Sequence, residues 1–132
     1  MIEGIVKKIM MTGINKYAKV YDVEPKNVQI LVKDLPDGYV TFEICVGFKT
    51  KEEVSFLQIM AKKMDIFQYE ALASPYLKKS LEMYANDTKD ELTNVCCFIM
   101  MPVENQIGLA FYNGYKNGKN VSLAKFLQEL GL

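Results

Sequence analysis

The chain has no histidine and no tryptophan, and because all 16 of its cationic side chains are lysine it has no arginine. Without histidine, no side chain titrates near neutrality at its ordinary pKa. That excludes Ser-His-Asp triads, Cys-His dyads, histidine-based zinc sites and phosphohistidine chemistry. Without arginine, there is no planar fork for bidentate recognition of phosphate, carboxylate or guanine. Both absences fit a lysine-biased, AT-rich coding sequence as well as a non-catalytic role. The three cysteines, Cys45, Cys96 and Cys97, are odd in number and form neither a C-x-x-C pair nor a metal-ligand spacing. A reducing cytoplasm is the simplest home for them. No cationic segment followed by an apolar run and a small-residue cleavage site is found, and no apolar stretch approaches ~18 residues, so neither secretion nor membrane insertion is expected. The 16 acidic residues balance the 16 lysines, so the whole-molecule field favours neither nucleic acid nor a basic partner.

What is present is an apolar half of the composition in 132 residues. That fits one α+β domain over residues 1–132, large enough to bury about two-thirds of its unfolded surface. From Ile2 to about Tyr21, Ile2, Ile5, Val6, Ile9, Ile14, Tyr17 and Val20 gather on one side of a helical wheel, with Gly13 as a weak point. "NVQILVKD" and "YVTFEICVGFKT" alternate with period two about the turn residues "LPDG", which predicts a β-hairpin. Thr50 to Glu53 matches a capping box and predicts a helix from there toward Ala73, unless Asp65 caps a second one. Ser74 followed by Pro75 predicts a further helix start. Strands follow at Thr93–Met101 and Gln106–Tyr115. After the loop "KNGKN" comes a final helix with Leu123, Phe126, Leu127 and Leu130 at i, i+3, i+4 and i+7.

The expected order is αββααββα, with a four-stranded, mostly antiparallel sheet packed with helices. "KTKEEVSFLQ" and "KNGKNVSLAKFLQ" occupy equivalent places in the two halves and look faintly alike, through an ancient duplication or, as so weak a likeness favours, chance. Similar element orders occur in small secretion chaperones and other adaptor folds, an analogy of architecture that no motif carries.

The run "TNVCCFIMMPV" concentrates four sulfurs. In a strand, neighbouring side chains point to opposite faces, so Cys96 and Cys97 diverge and do not share a metal. Val95, Cys97, Ile99 and Met101 fall on one face and Cys96, Phe98 and Met100 on the other, both apolar. This predicts a central strand covered on both sides, the alternative being that one face is an interface. Cys45, sharing a face with Tyr39, Thr41 and Glu43, reads as the most solvated thiol. The polar cluster Asp87, Asp90 and Glu91 lacks the frame of a calcium loop and reads as a turn. Lys7, Lys8 and Lys19 read as an ordinary solvated helix face.

Two candidate sites remain. On a helix from Glu52 to Ala73, Ile59 and Ile66 form an apolar strip beside charged residues. With Phe56, Tyr69 and Tyr76 nearby, that strip reads as a partner-binding or dimer surface. The glycine- and lysine-rich loop Gly114 to Ser122 offers Lys116, Lys119, Asn120 and Ser122 to an anion at a helix N-terminus, without matching a phosphate-binding motif. The expectation is a non-catalytic protein-protein interaction protein (an adaptor, chaperone or inhibitor), self-associating and without cofactor or metal. The alternative is a small-ligand or anion sensor.

Overall fold

The computed structural model describes residues 2–36, 39–59 and 66–131, with residues 2 and 66–73 described as backbone alone. Helix α1 (Ile2–Val20) leads through a 3-10 turn (Pro25–Asn27) into strands β1 (Val28–Asp34), β2 (Val40–Val46) and β3 (Lys49–Val54), then the short helix α2 (Phe56–Ile59). Helix α3 (Ile66–Thr88) opens a second round. It is followed by a 3-10 turn (Leu92–Asn94), β4 (Val95–Val103), β5 (Gln106–Asn113), β6 (Lys116–Ser122) and α4 (Leu123–Glu129). The strands form one antiparallel sheet in the order β3-β2-β1-β4-β5-β6. The mixed α and β class is as expected, but the sheet has six strands where four were expected.

The two additional strands replace a capped helix and a loop. Gly47 and Phe48 both take positive φ, 57° and 65°, which is the type I′ geometry that folds β2 back into β3 across two residues. Thr50 to Glu53 therefore lies in a strand and not at a helix start. The strand escapes a periodicity reading because only Val54 of its six residues is buried: "KTKEE" is an edge protected by charge. Strand β6 is hidden in the same way, with Val121 its one buried residue. Pro75 lies inside α3, so Ser74 does not begin a new helix there. Asp65 lies outside the described residues.

All four helices lie on one face of the sheet. Ile9, Ile14 and Tyr17 of α1, Leu81 and Tyr84 of α3, and Phe126 and Leu127 of α4 pack with Ile30, Ile44, Cys97, Ile99, Leu109 and Phe111 in a single buried cluster. Gly13 is an asset to this packing: a Cβ there would stand 2.7 Å from Ile59 Cγ2, so its absence lets α2 approach α1. Val20, on the expected apolar side of α1, is exposed.

The two rounds are a repeat with a constant step of 67 residues. The 3-10 turns begin at Pro25 and Leu92, the first strands at Val28 and Val95, the third strands at Lys49 and Lys116, and the closing helices at Phe56 and Leu123. Backbone detail follows the same step. Asp22 and Lys89 have φ of 52° and 54°. The N–H of Gly47 donates to the Asn27 carbonyl at 2.9 Å and that of Gly114 to the Asn94 carbonyl at 2.8 Å. Each half carries a ladder irregularity at the matching place, Ile44/Cys45 and Phe111/Tyr112. Ten of the 65 residue pairs separated by this step are identical, among them Tyr17/Tyr84, Asn27/Asn94, Gly47/Gly114 and Val54/Val121. The likeness of the two segments is thus part of a repeat that spans the fold. Leu31 pairs directly with Phe98, its own counterpart 67 residues on, so a pseudo-twofold axis passes between β1 and β4.

Candidate interaction face

Strand alternation gives the sheet a second face that no helix side chain reaches among the described residues. Leu31, Cys45, Phe98 and Ala110 form a separate buried cluster there, flanked by Cys96, Met100 and Tyr112, and among the described residues no helix side chain joins it. The strand "VCCFIMM" is central, as expected, with Cys97 in the helix-side core and Cys96 on the opposite face. The expected cover on both sides is partial: on the second face Phe98 is buried and Cys96 and Met100 are half-buried, with no helix side chain over them among the described residues.

An aromatic cluster covers part of this face. Phe48, in the β2–β3 turn, sets its ring edge-on against Phe98 at 5.1 Å and lies 6.4 Å from Tyr112; Phe98 and Tyr112 meet at 5.2 Å. Edge-on pairs of this kind match the aromatic quadrupole. Strands β2 and β5 are three ladder steps apart, about 14 Å across a flat sheet. Phe48 therefore leans inward, and the ladder irregularities of both halves, which raise local twist, favour the approach. Buried Gln29 fixes that lean by accepting the Phe48 N–H at 2.8 Å. Phe48 nevertheless remains 50% exposed. Its counterpart in the repeat, Tyr115, is fully exposed.

The repeat shows what is particular to this face. In the helix-side core the paired residues stay apolar even where they differ, as in Ile30/Cys97, Val32/Ile99 and Ile44/Phe111. On the second face they diverge: Gln29, Lys33, Thr41, Glu43 and Cys45 in the first half answer to Cys96, Met100, Gly108, Ala110 and Tyr112 in the second. One lobe is therefore charged and the other neutral and apolar. In the charged lobe Glu43 lies directly opposite Glu53, a like-charge pair across the ladder. Its Oε2 is buried and has no hydrogen-bond partner, the nearest cation being Lys33 Nζ at 3.6 Å.

The thiols are subdued. Burial pushes Cys97 well above its ordinary pKa. It also raises Cys96, with Lys33 opposing, and Cys45, which lies 3.7 Å from the Thr50 hydroxyl. Cys45, expected to be the most solvated, is fully buried; Cys96 is the half-exposed one.

Among the described residues, those singled out in sequence do not come together. Ile59 is 0% exposed and Phe56 4%: with β3 in place of a helix start, both turn into the helix-side core, so neither belongs to a surface strip. Tyr76 is half-buried against that core. The side chains of Ile66 and Tyr69 lie outside those described. The expected anion loop is strand β6. There Lys119 Nζ binds the Glu129 carboxylate at 3.0 Å, the Asn117 and Asn120 amides bond each other, and Ser122 caps α4 by accepting the Lys125 N–H. Lys116 is exposed at the turn. The donors expected to converge are thus tied up in separate local contacts or stand apart. Asn120 and Ser122 instead line an open groove of about 530 Å³ with Lys7, Gly108 and Ala124.

Among the described residues no cluster of histidine, cysteine, aspartate or glutamate is arranged to hold a metal, and no helix is long and apolar enough to cross a membrane. Compared with known protein families, curated proteins and solved structures, the chain has no match. The sequence signal for the face was the apolar character of both sides of β4. The contribution of Phe48 had no signal, because its placement depends on the Gly47 turn.

Proposed function

We propose that the chain is a non-catalytic protein-protein interaction module, of the adaptor, chaperone or inhibitor kind, that meets its partner through the helix-free sheet face. The observation that carries this reading is the half-exposed Phe48 ring seated over Phe98 and Tyr112 on a face that, among the described residues, no helix side chain covers. Aromatic anchors with adaptable sulfur-bearing neighbours, here Met100 and Cys96, suit an interface core, and the Lys33, Glu43 and Glu53 side supplies a polar rim. The absence of histidine and arginine from the sequence fits a role exercised by surface complementarity. Phe56 and Ile59 of the expected strip are buried, and the expected anion loop is strand β6.

The test is a matched pair of surface variants. Met100→Asp with Tyr112→Ala is expected to keep the fold by circular dichroism and to lose partners that wild type retains in affinity capture. Lys79→Glu with Glu82→Lys, on exposed positions of α3, is expected to keep them. Loss in the second variant and not in the first would move the interface to the helices.

A further inference from the structure

We infer that the occupant of the helix-free face is a protein segment presenting an apolar side chain flanked by lysine or arginine. This rests on the reading of that face as the interaction surface. The apolar part follows from the floor and wall, Leu31, Phe98 and Ala110 beneath Phe48 and Tyr112. The cationic part follows from Glu43. A carboxylate oxygen buried without a donor is costly, and a directly opposed glutamate adds to that cost. Lys33 at 3.6 Å stands beyond hydrogen-bond range and is itself half exposed, so it offsets the cost only in part. Oε2 itself is closed to solvent, but the Glu43 side chain as a whole is 21% exposed, so a cation arriving from the open side of the sheet would meet the accessible part of the carboxylate. The second lobe, from Cys96 through Met100 and Ala110 to Tyr112, carries no charge. The cation must therefore sit on the β2–β3 side of the apolar anchor.

The arrangement disfavours a second copy as the occupant. Lys33 is already turned to Glu43, and a second copy would set the neutral lobe against Glu43 and Glu53 with Lys7, which borders that lobe beside Glu3, as its nearby cation. A carboxylate kept for binding has a signature that a structural carboxylate lacks: removing its charge weakens the complex without weakening the free fold.

The experiment titrates isotope-labelled protein with two short amphipathic peptides of identical pattern, one of leucine and lysine, the other of leucine and glutamate. The lysine peptide is expected to shift Phe48, Phe98 and Tyr112 resonances. Glu43→Gln should bind it about tenfold more weakly, as for the loss of a hydrogen bond to a charged group. The thermal midpoint of free Glu43→Gln should equal or exceed that of wild type; Glu53→Gln serves as a second variant should Glu43→Gln fail to fold. Three results would overturn the inference: equal affinity for both peptides, unaltered affinity in the glutamine variants, or no shift with either peptide. A mass that doubles with concentration, with the same resonances shifting, would assign the face to a second copy. Equal binding of both peptides at this face would leave the interaction reading standing and remove only its cationic partner.

Discussion

At the scale of single residues, close approach governs what can be changed. Gly13 and Gly4 both lie in α1, yet only Gly13 faces a neighbour. Gly13→Ala gains helix propensity of about 1 kcal/mol but drives a methyl into Ile59, and overpacking costs about 1–3 kcal/mol, so a net loss is expected. Gly4→Ala meets nothing within 4 Å and is expected to stabilise by about 0.5 kcal/mol. Denaturant midpoints of the two variants should move in opposite directions. Gly118 is more constrained: a Cβ there would fall 1.8 Å from the Tyr84 hydroxyl, which donates to Asn113 at 2.6 Å. Gly118→Ala should therefore destabilise more than Tyr84→Phe, which loses one hydrogen bond worth about 1 kcal/mol. For the thiols, labelling of the folded protein should reach Cys96 before Cys45 or Cys97, because only Cys96 is half exposed. Raised thiol pKa values mean that the folded state holds these protons more firmly. Their contribution to stability is intact below about pH 8 and declines as pH rises past the ordinary thiol value near 8.5.

At the scale of elements, Asp90 joins the end of α3 to the second half of the sheet. Its carboxylate accepts from the Asn94 amide at 2.7 Å, the Asn113 amide at 2.9 Å and the Glu91 N–H at 2.8 Å, which together lower its pKa. The stability it contributes is present above the ordinary aspartate value near 3.9 and is lost as pH falls through the lower folded value. Asp90→Asn should flatten the acid limb of a stability-versus-pH curve. Elements with a buried stripe were legible in the sequence: α1, α4, the β1–β2 hairpin and both strands of the β4–β5 pair. Elements at the sheet edges were not, because β3 and β6 each bury one residue and their alternation is among polar side chains. The capping box at Thr50 was a local match overruled by the turn at Gly47 and Phe48, where two positive φ values commit the chain to a hairpin. The candidate site suffered for the same reason: once the helix start moved to Phe56, Ile59 rotated into the core.

At the scale of the molecule, the repeat and its departures define the account. A step of 67 residues reproduces the order of elements, the ladder irregularities and the carbonyl partners of Gly47 and Gly114, while the helix-free face departs from it at position after position. Equal halves would give that face two equal lobes; the actual pair, one charged and one apolar, has a direction and suits an unlike partner. The measurement that bears most directly on this is photocrosslinking in cells producing the protein, with p-benzoylphenylalanine placed in turn at Phe48, Met100 and Tyr112, and at Lys79 and Glu82 on the outer side of α3. The expected result is a discrete protein adduct from the three sheet positions, diminished in the Glu43→Gln background, and none from the two helix positions. Adducts confined to the helix positions, or none from the sheet face, would contradict the account.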